Sequence, residues 1–100
     1  PDIMWAGGIS EVVKIAALAS VYDVEVVPHN HSTYATLHFS ASQPPSLCPV
    51  QEYLVKWNTQ LNFFFTRKPE PANGFLELPQ QSGIGWEIDE SLVESQQIIT

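Results

Sequence analysis

The chain has 100 residues and a mass of 11.2 kDa, and it is 44% hydrophobic, 11% aromatic and 15% charged. A chain of this size buries roughly 65% of its unfolded surface, which leaves room for one small core. Its apolar content excludes a disordered chain, and no uncharged apolar run nears the roughly 20 residues that span a bilayer as a helix. Four Lys and Arg against eleven Asp and Glu leave a net charge of −7, so neither nucleic acid nor a membrane surface is an expected partner.

Residues 2–6 (Asp-Ile-Met-Trp-Ala) form a short apolar run closed by Gly7-Gly8 and read as the end of a buried strand. Ser10 stands where a helix N-cap belongs, and Glu11 suits the first turn of the helix dipole. Val12, Ile15, Ala16 and Ala19 fall at helical spacing. Val13, Ala17 and Val21 widen that face, so the helix is expected to be mostly covered until it ends near Tyr22-Asp23. The β-branched run from Val24 to Val27 predicts a second strand, stopped by Pro28, which has no N–H for a ladder. His29-Asn30-His31 then lie just past a strand's C-terminal end. A second helix is predicted from about Thr33 to Ser42, capped by Ser32 or Thr33, before Gln43-Pro44-Pro45-Ser46 breaks it. Pro49 to Val55 predicts a third strand, with Glu52 between the apolar Val50 and Leu54.

Strand alternating with helix over residues 1–57 predicts an α/β architecture with parallel strands and right-handed crossovers. Polar residues at strand C-termini form the functional face of such folds. Asp2, His29 and Glu52 are expected on one rim, with the loop Pro44–Pro49 over it. Residues 58–100 read as an irregular arm. Asn73-Gly74 predicts a tight turn, and Phe63-Phe64-Phe65 is too apolar to be left in water, so the arm is expected to pack on something. The single Cys48 forms no internal disulfide and suits a reducing, cytoplasmic location. The chain opens in an apolar run without an initiator Met, so it is expected to be part of something longer.

Several short motifs, in this order, resemble a known family. Pro1-Asp2-Ile3-Met4-Trp5-Ala6-Gly7-Gly8-Ile9-Ser10-Glu11, Lys14 to Ala19, Val26-Val27-Pro28-His29, Gln51-Glu52-Tyr53-Leu54 and Gly83-Ile84-Gly85-Trp86-Glu87-Ile88-Asp89 resemble the C-terminal part of the enolase superfamily. Within it they are most similar to mandelate racemase-type acid-sugar dehydratases of the rhamnonate dehydratase kind. Two departures stand out: Pro44–Pro49 is longer than the rhamnonate pattern, and Ser82 stands where Pro is frequent. The resemblance implies the end of strand 6 to strand 8 of a TIM-type (β/α) barrel, followed by an arm that packs on a capping domain. It also implies a sugar-acid substrate and a Mg2+ ion whose ligands lie on strands this chain lacks. The full-length protein is expected to be a homo-oligomer, and the isolated chain inactive.

Asp2 and His29 lie one βα unit apart, and adjacent parallel strands run about 4.8 Å apart. A carboxylate on one imidazole nitrogen fixes the tautomer and makes the other a general base. From spacing alone, a loop-capping Asp2 beside an unrelated surface His29 is the simpler account. The resemblance implies the acid–base dyad, with Asp2 holding His29. Glu52 is either a solvent-facing neighbour of Lys56 or, by resemblance, the electrophilic acid for the enediolate, with a pKa raised by its apolar strand. His31 is expected to line the substrate pocket. A zinc cluster of His29, His31, His38 and Cys48 is not expected, because such sites need further ligands. Gly83-Ile84-Gly85 lacks the third glycine of a phosphate loop. Two alternatives stay open: a racemase or epimerase of the same superfamily, and a non-catalytic α/β piece stable only with a partner.

Overall fold

A computed structural model describes residues 1–99. Helix α1 spans Ile9–Val21 and helix α2 spans Thr33–Ala41, both close to the predicted bounds. The single turn α3 covers Asn58–Leu61, and a 3-10 turn covers Glu90–Leu92. Gly8, not Ser10, occupies the N-cap of α1, with φ +93° and no side-chain cap. Ser10 falls inside the first turn. Helix α1 stops at Tyr22, and Asp23 follows in the left-handed region at φ +53°.

The core is small and lies between α1, α2 and the extended segments. Ile3, Val12, Ala16, Val26, Ala35, Phe39, Leu47 and Cys48 are buried together. Helix α2 is covered on nearly every side, from Thr33 to Leu37 and at Phe39, so it is the central element. Helix α1 is not mostly covered as its periodicity predicts. Only Val12 and Ala16 are buried, while Val13, Ile15, Leu18 and Val21 face out.

The three predicted strands do not form among the described residues. What remains of them is register. A parallel bridge joins Asp2 to His29, with the His29 N–H donating to the Pro1 carbonyl at 2.8 Å. On its other side, the Val26 N–H donates to the Leu47 carbonyl at 2.7 Å. Residues 24–29 therefore run between residues 1–2 and 47–52, the order a parallel sheet would have. A local competitor explains why residues 2–6 curl away. The Asp2 carboxylate accepts the N–H groups of Met4 (2.8 Å) and Trp5 (3.3 Å), and the Asp2 carbonyl accepts that of Ala6. Such Asx turns give the backbone an alternative to a ladder.

The Pro44–Pro49 loop does not cover the rim. Nine residues of α2 carry the chain about 13 Å away from His29 and His31 before the loop begins. Leu47 and Cys48 then settle beside Val26, where the Cys48 thiol donates to the Val26 carbonyl. Pro44, Ser46 and Leu47 line a cleft with Ser20, Asp23 and Val24, at the end opposite the histidines.

The arm folds back onto α2. Phe65 bridges antiparallel to Ile88 and stacks on Trp86, with ring centroids 4.9 Å apart. Tyr34 of α2 meets both rings edge-on. Asn73 and Gly74, both at positive φ, make the predicted tight turn between Ala72 and Phe75. Phe63 and Phe64 remain about half exposed.

Candidate active site

The rim is built by a short piece of backbone. Pro28 ends the extended segment, and the His31 N–H turns back to the His29 carbonyl at 3.2 Å. That three-residue turn stacks the two imidazoles edge to face, with centroids 4.5 Å apart and planes at 82°. Asp2 comes alongside through the parallel bridge. Glu52 arrives from the third extended segment, where the Asn30 N–H donates to its Oε2 at 3.0 Å.

All four residues picked out by the sequence thus share one rim, but they pair differently from the expectation. The expected contact was Asp2 on His29. Instead, Glu52 Oε2 lies 2.5 Å from His29 Nδ1, and Asp2 Oδ2 meets His31 Nδ1. The Asx turn supplies the reason. It holds Asp2 Oδ1 on the Met4 and Trp5 N–H groups and directs Oδ2 to the ring beyond the bridge. Asp2 is the most covered of the four at 13% exposure, while the His29 side chain is 42% exposed. His29 and His31 open onto a cleft of ≈ 350 Å³ shared with Leu54, Trp57 and Leu61. One ring nitrogen of His29 is held by a carboxylate and the other is free, the arrangement of an oriented general base.

Other sequence candidates lie elsewhere. His38 Nε2 contacts the Ile84 carbonyl at 3.2 Å and ties α2 to the Gly83–Gly85 turn. Cys48 is buried in the core. Sequence reasoning missed Trp5, whose indole N–H points to His31 Nδ1 at 3.1 Å. It also missed Asn30, fully buried with neither side-chain atom partnered. No spacing signal marks either one. A buried polar wall behind the rim was missed as well. Asn58 donates to the Tyr53 hydroxyl at 2.6 Å, and Asn62 donates to Asn58 Oδ1 at 2.8 Å. The Tyr34 hydroxyl donates to the Arg67 carbonyl at 2.9 Å. Burial raises the Tyr34 phenol above its ordinary pKa, with nearby Arg67 opposing. Burial and then Glu70 raise Tyr53, and its hydrogen bond with Asn58 opposes them.

Asp2, His29 and His31 each bring a ligating atom within 4.8 Å of the others. This set does not fit magnesium, which takes oxygen ligands in near-octahedral order. One carboxylate and two imidazoles are not that cage. Among the described residues, no helix is long and apolar enough to cross a membrane.

Comparison with known proteins follows the same lines. The family model "Enolase C-terminal domain-like" matches residues 1–92. An L-rhamnonate dehydratase of Saccharopolyspora erythraea is 37% identical over 91 residues, covering 85% of this chain and 23% of its own length. A D-galactonate dehydratase of Ralstonia pickettii is 35% identical over 101 residues, covering 93% and 26%. Among solved structures, an enolase of the mandelate racemase subgroup from Agrobacterium tumefaciens, carrying a succinimide residue, superposes with a TM-score of 0.74. It is 36% identical and covers 90% of this chain and 24% of that one. The chain spans about a quarter of the length of the curated relatives it matches. With a family model over nearly all its residues and a shared fold, the chain belongs to the enolase C-terminal domain-like family.

Proposed function

We propose that the chain is the C-terminal catalytic portion of an acid-sugar dehydratase acting on a rhamnonate-like substrate. The observation that carries this reading is the meeting of His29, Glu52, Asp2 and His31 on one rim over a cleft, within the matched residues 1–92. His29 Nε2 takes the proton α to the substrate carboxylate, and the electron pair of that C–H bond becomes the enediolate. Glu52 holds Nδ1 and stabilises the imidazolium that forms. His29 then returns the proton to the departing β-hydroxyl, which leaves as water while the α,β double bond forms. His31, held by Asp2, binds a substrate hydroxyl. Magnesium, when bound by the full-length protein, supplies charge neutralisation for the substrate carboxylate.

Two-base racemisation needs a second base on the face of the α-carbon opposite His29. His31 stands beside His29 and is not that base; a Lys facing His29 from a strand outside this chain would supply it. The chain reads as residues 1–57 of barrel and residues 58–100 of arm. The half-exposed Phe63 and Phe64 serve as the arm's contact with a capping domain. In this reading the full-length protein acts in the cytoplasm as a homo-oligomer. The test is an assay of the full-length protein with magnesium against a panel of sugar acids, rhamnonate and galactonate first. Formation of the 2-keto-3-deoxy product supports the reading. Epimerised acid without loss of water replaces it with the racemase alternative.

A further inference from the structure

The rim that rejects magnesium has a donor set suited to a different ion. We infer that Asp2, His29 and His31 form a binding site for an imidazole-seeking divalent cation of the zinc class. Their ligating atoms already lie within 4.8 Å of one another. The ligands of one tetrahedral zinc, at bonds of about 2.0–2.2 Å, stand about 3.4 Å apart. Reaching that spacing takes side-chain rotations that part Asp2 from His31, and the His29 and His31 side chains, 42% and 37% exposed, have room for them. Two imidazoles and one carboxylate, with a fourth position open to the cleft, match the ligand preferences of zinc and its neighbours.

One contact beside the cluster supports a metal. Glu52 holds His29 through Nδ1 at 2.5 Å and leaves Nε2 for coordination, the carboxylate–imidazole–metal relay that orients ligating histidines. The direct Asp2–His31 contact is a hydrogen-bonded pair, which the ion would replace. Zinc bound there occupies the lone pair with which His29 would accept a proton, so the site is inhibitory for base catalysis.

The inference does not depend on the dehydratase reading, since zinc can bind whether or not the rim moves a proton. The test is a titration of the full-length protein, held in saturating magnesium, with zinc chloride, by competition with a chromogenic zinc indicator and with far-ultraviolet circular dichroism in parallel. The expected result is one zinc per chain, not displaced by excess magnesium. His31→Ala and the near-isosteric Asp2→Asn should each weaken binding at least about tenfold, and His38→Ala should leave it unchanged. The inference is overturned by the absence of saturable binding, or by His38→Ala weakening it as much as His31→Ala.

Discussion

His29 is held on three sides by different means: its backbone by Pro1, its ring by Glu52, and its neighbouring ring by the turn to His31. Glu52 in turn is fixed by the Asn30 N–H. The proposed base therefore depends on a chain of contacts more than on packing. Glu52→Gln in the full-length protein keeps the side chain's shape and removes the charge that steadies the imidazolium. It is expected to lower turnover by roughly 10²-fold or more with little change in thermal stability. Steady-state kinetics and a melting curve on the same sample check this, and unaltered turnover would remove Glu52 from the mechanism. A second residue-scale prediction concerns Tyr34. Its phenol is raised by burial, so the folded chain keeps the proton that the unfolded chain loses near pH 10. The associated stability is complete below the unfolded pKa and is lost as pH rises through the folded one. Tyr34→Phe removes this alkaline loss and the bond to Arg67, costing about 1 kcal/mol at neutral pH. Denaturant melts of both proteins, at neutral pH and above pH 10, measure the two effects.

At the scale of elements, α1, α2 and the tight turn were legible in the sequence because their causes are local, whereas the single turn α3 falls in the stretch that reads as an irregular arm. Helical spacing around Val12 and Ala16, the break at Pro44-Pro45, and Asn73-Gly74 each act within a few residues. The strands were not legible in the same way, because a strand is completed by its neighbours. Residues 24–29 have the β-branched composition, yet they find isolated bonds to Pro1 and Leu47 and no ladder. The rim was legible as a set of residues, since the strand–helix repeat brings Asp2, His29 and Glu52 to one end. Their pairing was not, because it turns on the Asx turn at Asp2. The arm adds a sharper test. Gly85 sits at φ +78°, and a Cβ there would lie 2.5 Å from Pro79 Cβ. Gly85→Ala therefore meets both backbone strain of about 1–2 kcal/mol and a clash with a ring that cannot swing aside. It should loosen the Ile84 contact to His38 and with it the stacking of Trp86 on Phe65. Trp86 fluorescence, read with Trp5 and Trp57 replaced by Phe, should redden in the variant.

Across the whole molecule, the buried core is small and much apolar surface is outside. Trp5, Val55, Phe75 and Val21 are all more than three-quarters exposed, and Met4, Val50 and Leu18 about three-fifths. A chain that spans about a quarter of its relatives' length and leaves these residues in water is expected to be marginal by itself. The isolated 100 residues should give a broad, weakly cooperative melt and no turnover of any sugar acid. A sharp two-state transition in calorimetry would show a self-sufficient domain instead. The central claim, that the His29 rim removes the proton α to a carboxylate, is tested most directly by proton NMR of rhamnonate incubated with the full-length protein and magnesium in deuterated water. The account predicts conversion to the 2-keto-3-deoxy acid by the parent protein. With His29→Asn, it predicts loss of turnover by at least about 10²–10⁴-fold while the fold is retained. Dehydration by His29→Asn at the parent rate would contradict it.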